Sequence, residues 1–296
     1  MLKRTLSFSN PYHLSVKLGQ LEITDKQTGE KKTAPIEDLG YVVLDNLEIT
    51  FTQSVMSELA ANNTAVIICN NKHLPASMMF HLDTNQIQNE LFRAQVAASE
   101  PLKKQLWQQT IRAKIRNQAA LLNYTGNSDT ALLRHASNVK SGDTTNEEAQ
   151  ASRRYWVNLF GENFIRDREG MSPNPSLNYG YAILRAAVAR AICGSGLLPT
   201  LGIFHHNKYN HYCLADDIME PYRPFVDKIV WEQREKIPDY HNITKERKAE
   251  LLAILTHDVK MDTDTSPLQI AINRTTASLA KCFKGDEKEL DYPSFD

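Results

Sequence analysis

The sequence has 296 residues, of which 42% are hydrophobic and 23% charged, with 12 glycines and 12 prolines. This composition excludes a disordered, collagen-like or fibrous chain, and the length suggests two domains. The net charge of −1, from 34 basic and 35 acidic residues, excludes a histone-like polycation. Nucleic-acid binding stays open, because basic residues can cluster on one face of a neutral protein.

The cysteines and the apolar segments indicate a reduced cytoplasmic protein. The four cysteines lie far apart and form no C-x-x-C pair, so we expect free thiols. The first 15 residues have no apolar core of a signal peptide. The most apolar helical segment, residues 182–192, contains two arginines and is too short to span a bilayer. We therefore expect a cytoplasmic location and no membrane association.

The first 80 residues have the alternating pattern of β-strands. Residues 13–23 alternate apolar and polar side chains on both sides of Gly19, which predicts a hairpin with one solvated face. The segment therefore predicts a compact β-rich, sandwich-like domain. Its other predicted elements are strands at 41–44, 47–51 and 65–69 and a short helix at 54–61.

After residue 81 the apolar period becomes helical. In the second predicted helix an apolar stripe is formed by Leu106, Ile111, Ile115 and Ala119. The acidic segment 286–296 is expected to be mobile. The predicted fold class is α+β with two domains: a small N-terminal β-rich domain (1–82) and a larger all-α C-terminal domain (83–296). The predicted helices cover residues 86–99, 101–124, 155–164, 176–192, 214–235, 245–255 and 268–283.

The charge is distributed unevenly along the chain. Residues 91–190 hold 14 basic and 8 acidic residues, a net charge of +6. Residues 1–90 have a net charge of −3 and residues 201–296 a net charge of −4. The middle third is therefore the candidate surface for a polyanion, with an ordinary solvated helix surface as the alternative.

Acidic and imidazole side chains form three clusters in the helical part. These contain Glu148, then His205, then Asp217 and Glu220, which lie at i and i+3 of one predicted helix. Two carboxylates from different helices and one imidazole would bind magnesium or manganese and leave positions for phosphate oxygens. Spacing alone also allows a solvated helix face for the acids and a structural role for the histidine.

Other chemistries have less support. His205, His206 and His211 could suggest zinc, but no cysteine has the customary spacing and no H-E-x-x-H occurs. The motifs G-x-G-x-x-G, G-x-x-x-x-G-K-[ST] and G-x-S-x-G are also absent. Dehydrogenase, nucleotide-dependent kinase and serine-hydrolase functions therefore lose their strongest sequence support.

Four blocks of sequence resemble a known family. They are residues 143–149 (DTTNEEA), 178–185 (NYGYAILR), 201–205 (LGIFH) and 214–227 (LADDIMEPYRPFVD). In this order and spacing they resemble the signature blocks of the CRISPR-associated spacer integrase, the universal endonuclease of the adaptation step. The chain resembles the branch that accompanies type II systems. The resemblance covers nearly the whole chain, including the order of β-rich and helical domains.

The resemblance implies a metal-dependent transesterification. The 3′-OH of a short foreign-DNA fragment would attack a phosphodiester at the leader–repeat junction of the CRISPR array. The implied catalytic residues and ligands of Mg²⁺ or Mn²⁺ are Glu148, His205 and Glu220. Asp217 matches an acid that assists the site in some relatives.

Neighbouring residues compete for two of these positions. Glu147 precedes Glu148, but the family places its acid seven residues before an aromatic pair, here Tyr155 and Trp156, which favours Glu148. The usual glycine after this acid is an alanine here. His206 follows His205, and the Leu-Gly-x-x-His block selects His205.

The resemblance also implies partners. These are double-stranded DNA (prespacer and CRISPR array), a second copy of the chain joined through the β-rich domain, and a small ferredoxin-like companion protein. Two homodimers would bracket a dimer of the companion as a hetero-hexamer, and other proteins of a type II system are further candidates. The predicted phosphate contacts are Lys103, Lys104, Arg112, Lys114, Arg116, Arg153 and Arg154.

Two other functions remain alternatives. One is a catalytically silent DNA-binding scaffold that only assembles the adaptation complex. The other is a metal-dependent phosphoesterase that acts on a small substrate. Salt-sensitive DNA binding separates the integrase and the scaffold from the phosphoesterase.

Overall fold

The computed structural model describes residues 3–79, 85–236 and 243–295 of the chain. The chain divides into two units, Met1–Thr84 and Asn85–Asp296. The predicted domain boundary between residues 82 and 83 lies outside the described residues.

The N-terminal unit contains two four-stranded sheets whose apolar faces share one core with a helix. The sheets have the strand orders β1-β5-β7-β8 and β4-β3-β2-β6. Strand β5 is buried along its whole length, as expected of the central strand in its sheet. The elements are β1 (Arg4–Phe8), β2 (Tyr12–Lys17), β3 (Gln20–Asp25), β4 (Lys31–Pro35), β5 (Leu39–Leu44), β6 (Thr50–Phe51), α1 (Gln53–Ala61), β7 (Ala65–Cys69) and β8 (Pro75–Met79).

The predicted hairpin is confirmed. Strands β2 and β3 pair antiparallel, with Lys17 opposite Gln20. The two residues between them, Leu18 and Gly19, have φ angles of 51° and 72°. A two-residue turn with both φ angles positive follows the right-handed twist of the strands, and glycine adopts this conformation without strain.

The C-terminal unit is mostly helical. No helix in the described part of the chain is long and apolar enough to cross a lipid bilayer. The elements are α2 (Gln88–Ala97), α3 (Glu100–Tyr124), α4 (Thr130–Asn138), α5 (Glu147–Phe160), α6 (Asn174–Gly194), α7 (Cys213–Met219), α8 (Arg223–Lys236), α9 (Lys245–Ala253), β9 (Asp258–Met261), β10 (Asp264–Pro267) and α10 (Leu268–Lys284).

The structure confirms the order of a β-rich part and a helical part, but the second part is not all-α. Strands β9 and β10 form an antiparallel hairpin, and helix α4 was not predicted. The single helix expected at 214–235 is α7, a 3₁₀ turn at Glu220–Tyr222, and α8. Pro221 has no N–H with which to continue the hydrogen bonds of α7, so the chain tightens at this point.

Two central helices form the core of this unit. The predicted stripe of α3 is confirmed, because Leu106, Ile111, Ile115 and Ala119 are fully buried. Helix α6 is buried on nearly all sides, as expected of a helix that is apolar around its circumference. It packs closely on α8, since a Cβ added to Gly180 would lie 2.4 Å from Val226.

The C-terminal tail is held against α3, and its predicted mobility is wrong. Gln109 accepts a hydrogen bond from the N–H of Leu290 at 2.8 Å. Asn117 donates to the carbonyl of Pro293 at 3.0 Å. The ring of Phe295 stacks on a phenylalanine of α8 at 4.2 Å. Polar side chains of α3 therefore supply partners that composition alone did not indicate.

Candidate active site

A buried lysine joins two of the predicted site residues. Lys114 lies in the middle of α3 and is 7% exposed. Its ammonium nitrogen forms an ion pair with Glu148 and lies 2.7 Å from Oε2 of Glu220. The fold therefore brings together two carboxylates that are far apart in the sequence, one from α5 and one from the turn after α7.

Glu148 is positioned by the start of α5. The N–H groups of Glu147 and Glu148 donate to the two carboxylate oxygens of Asp143 at 2.9 and 3.0 Å. This carboxylate satisfies two amides at a helix N-terminus. Glu147 turns away and its carboxylate contacts Nδ1 of His135 at 2.7 Å, whereas Glu148 faces Lys114. Only one of the two competing acids therefore reaches the lysine.

Glu220 lies between two cations. Its Oε2 faces Lys114 at 2.7 Å and its Oε1 faces Arg223 at 2.9 Å. Burial alone would raise the pKa of Glu220, but the charges of Arg223 and Lys114 outweigh burial and lower it. Burial likewise would lower the pKa of Lys114, and the charges of Glu220 and Glu148 raise it. In this ion pair Glu220 is therefore deprotonated and Lys114 is protonated.

His205 is oriented by a fully buried carboxylate. Oδ1 of Asp217 lies 2.5 Å from Nδ1 of His205, and this hydrogen bond raises the pKa of the imidazole. Oδ2 accepts hydrogen bonds from the N–H groups of Ile203 and Phe204 at 2.7 and 2.9 Å. Burial raises the pKa of Asp217 against these hydrogen bonds. Because Nδ1 is engaged, Nε2 is the nitrogen left for a ligand or a proton.

The loop that carries His205 fits tightly around Asp217. A Cβ at Gly202 would lie 2.3 Å from the carbonyl oxygen of His205 and 2.7 Å from Oδ2 of Asp217. The ring of Phe204 stacks on Trp107 at 4.2 Å, and His205 meets the same indole edge-on at 5.7 Å. Trp107, which is buried, therefore forms a wall of the site.

His206 does not share this arrangement. It is exposed, and its Nδ1 hydrogen-bonds to the carbonyl of Phe204 at 2.8 Å. His205, His206 and His211 line one cavity of about 400 Å³. Within the described ranges, however, no three His, Cys, Asp or Glu side chains converge as a metal-binding cluster.

The donors around Lys114 nevertheless suit a divalent cation. Oε2 of Glu220 is buried, and its partner among the described residues is the ammonium of Lys114 at 2.7 Å. Glu148 supplies a second carboxylate, and His205 is close enough that the charge of Glu220 also raises its pKa. The two carboxylates are typical ligands of Mg²⁺ or Mn²⁺, and an imidazole adds affinity for Mn²⁺. The position between the carboxylates is taken by an ammonium group.

The predicted phosphate contacts have different environments. Lys114 is engaged by two carboxylates, so a phosphate contact does not fit its position. Arg112 is half-buried and donates to the carbonyl of Val139 at 2.9 Å. Lys103 is partly exposed and paired with Glu100. The remaining members of the set are exposed, namely Lys104, Arg116, Arg153 and Arg154.

The sequence analysis did not identify Lys114 as the ion-pair partner of Glu148 and Glu220, although its position in the helical pattern indicated burial. Residue 114 follows Thr110 by four positions and Ile111 by three, so helical periodicity places it on the buried face of α3. A lysine on a buried face needs a partner. Arg223 was missed as a partner of Glu220, and Asp143 as a capping residue.

Comparisons with known proteins agree with this architecture. A β-rich unit followed by a mostly helical unit is the fold of a solved structure described as a casposase bound to integration product. That structure has a TM-score of 0.82 and 19% identity, and the match covers 100% of this chain and 95% of that chain. The fold is also that of a Cas1 protein from Thermotoga maritima, with a TM-score of 0.79, 14% identity, and coverage of 99% and 100% of the two chains.

Sequence comparison shows the family. The model of the family described as CRISPR associated protein Cas1 matches residues 7–253. A CRISPR-associated endonuclease Cas1 from Neisseria meningitidis is 38% identical over 99% of this chain and 96% of its own length. One from Francisella tularensis is 26% identical over 81% and 82%. The chain belongs to the Cas1 family.

Proposed function

We propose that this chain is a metal-dependent DNA endonuclease and integrase of CRISPR adaptation. It would insert short foreign-DNA fragments into the CRISPR array by attack of a 3′-OH at the leader–repeat junction. Membership of the Cas1 family, with an endonuclease as a 38% identical relative, supports this class of activity. The observation that carries the reaction centre is the convergence of Glu148 and Glu220 on one buried cation.

The site residues would hold Mg²⁺ or Mn²⁺ through the carboxylates of Glu148 and Glu220 and through Nε2 of His205. When bound, the ion supplies positive charge at the phosphoryl oxygens and favours the deprotonated 3′-OH. Asp217 keeps the proton of His205 on Nδ1, so that Nε2 stays available. Arg223 keeps Glu220 charged and restricts its orientation.

The DNA would bind through phosphate contacts of the exposed basic residues. Such contacts position a duplex but do not read its sequence, and their contribution falls as salt rises. A solved chain of similar fold belongs to a structure described as a Cas6-RT-Cas1–Cas2 complex, with a TM-score of 0.75, 18% identity, and coverage of 98% of this chain and 36% of that chain. The Cas2 protein in that complex supports assembly of this chain with a companion protein. We propose that the companion is small and ferredoxin-like, that the complex is a hetero-hexamer, and that the chain dimerises through its β-rich unit. The proposed contacts are Lys103, Lys104, Arg116, Arg153 and Arg154.

A strand-transfer assay tests the activity and its site together. The protein and the small companion are mixed with a duplex that has free 3′-OH ends and with a supercoiled plasmid carrying leader and repeat, in Mg²⁺, Mn²⁺ or EDTA. We expect nicked product that contains the fragment, formed only with metal. Glu148→Gln and Glu220→Gln should reduce it about a hundredfold or more and leave DNA binding nearly unchanged.

Glu147→Gln is the matched control, because Glu147 lies on the same helical turn and contacts His135 instead of Lys114. It should retain strand transfer. Full integration by Glu148→Gln would show that the site is assigned wrongly. Bound but unreacted DNA with the unaltered protein would favour the silent scaffold.

A further inference from the structure

Lys114 occupies the position that a metal ion bridging Glu148 and Glu220 would need. Its ammonium contacts one carboxylate on α5 and another on the turn before α8, and its side chain is 9% exposed. The lysine is the only group in contact with both carboxylates among the described residues. It therefore compensates their mutual repulsion in the protein without metal.

The charges explain why the lysine and a divalent ion exclude each other. Glu148 and Glu220 supply two negative charges, and Lys114 and Arg223 supply two positive charges. A divalent ion added to this balanced site would leave two excess positive charges in a buried environment, where repulsion is only weakly screened. Removal of the ammonium from between the carboxylates halves that excess, to one positive charge.

We propose that Lys114 is a placeholder cation, whose ammonium occupies the position between Glu148 and Glu220 until a divalent ion displaces it. This inference rests on the proposed function. A lysine suits the role because its charge is carried at the end of a flexible four-carbon chain. Glu220 keeps its second partner, Arg223, when the ammonium leaves, so the carboxylate is not left without a cation.

Binding of Mn²⁺ by the unreacted protein tests the placeholder. The affinity is measured by electron paramagnetic resonance or calorimetry on the full chain, and the melting temperature is recorded with and without Mn²⁺. The variants are Lys114→Gln, which keeps a hydrogen-bond donor, and Lys114→Met. Lys281→Met is the matched control, because Lys281 is exposed and pairs only with Glu287 among the described residues.

We expect the two Lys114 variants to melt at lower temperature without metal and to bind Mn²⁺ about tenfold more tightly. Mn²⁺ should therefore raise their melting temperature more than that of the unaltered protein. Affinity that is unchanged or weaker in both variants would overturn the placeholder while the proposed function stands. Absence of Mn²⁺ binding at this site in every protein, with Glu148→Gln indistinguishable from the unaltered chain, would overturn both.

A second measurement uses the unaltered chain, in case the variants do not fold. Lysine acylation is followed by mass spectrometry with and without Mn²⁺. The buried, paired amine of Lys114 should be protected without metal and should react several-fold faster when Mn²⁺ is present. Equal protection of Lys114 under both conditions would refute its displacement.

Discussion

Replacement of Asp217 by asparagine tests how His205 is held. The substitution keeps the size of the side chain, removes its charge and turns one acceptor atom into a donor. Asp217 is fully buried, and Oδ2 accepts from the N–H groups of Ile203 and Phe204. Oδ1 contacts Nδ1 of His205 and accepts from its backbone N–H at 3.2 Å. Both oxygens therefore face donors.

The expected losses of stability and of strand transfer follow from the two orientations that the new amide can adopt. If its NH₂ faces the loop, the N–H groups of Ile203 and Phe204 lose their acceptor, at about 1–3 kcal/mol for each buried donor. If its NH₂ faces His205, the imidazole must accept at Nδ1 and carry its proton on Nε2. The second orientation costs less stability but blocks the nitrogen proposed as the ligand. We therefore expect a loss of about 2 kcal/mol and a decrease in strand transfer of about a hundredfold.

The assay combines urea unfolding at neutral pH with strand transfer, and the protonation of His205 is followed by NMR. The pKa of His205 should fall in the variant, because the hydrogen bond to Asp217 raises it in the unaltered chain. Asp216→Asn is the matched control, since the adjacent Asp216 pairs with Arg185 at 2.6 Å. Unaltered strand transfer and imidazole pKa in Asp217→Asn would refute the positioning role.

Three further changes have defined outcomes. Burial raises the pKa of Asp227 from its usual 3.8 to about 6, so the folded state holds this proton more tightly and stability falls as pH rises from 4 to 6. Asp227→Asn should remove about 3 kcal/mol of that dependence in urea unfolding, and an unchanged pH profile would contradict the shift. Arg153→Ala with Arg154→Ala should weaken duplex binding for all sequences and lower the salt slope by about 2, whereas a change confined to sequence preference would oppose phosphate contact. Deletion of residues 288–296 should lower the unfolding free energy by about 3 kcal/mol, through hydrogen bonds lost from α3, and unchanged melting would contradict a docked tail.

The local pattern of apolar residues was sufficient to predict the strands and helices in which those residues recur at a regular spacing. The alternation around Gly19 predicted the β2–β3 hairpin, and the four-residue stripe predicted the buried face of α3. The β9–β10 hairpin was missed because each of its strands has only four residues. Helix α4 was also missed, although the equally long helices α1 and α9, with nine residues each, were predicted. Short elements are stabilised by tertiary packing more than by their own propensity.

The tail shows the same limit for a surface segment. Its acidic, polar composition is typical of a mobile terminus. Its hydrogen-bonding partners, Gln109 and Asn117, lie in a helix more than 170 residues away in the sequence. No local pattern reports such partners, because they meet only after the helical unit has formed.

At the site, the sequence by itself determined which groups are candidates: the motif blocks named Glu148, His205 and Glu220, and spacing chose Glu148 over Glu147. Only the tertiary structure decided what these groups face. It placed Lys114, expected on a DNA-binding surface, between the two carboxylates. The physical reason is that the sequence specifies only the type and order of the side chains. The electrostatic partner of a buried charge depends on which helices, from distant segments of the chain, pack against each other.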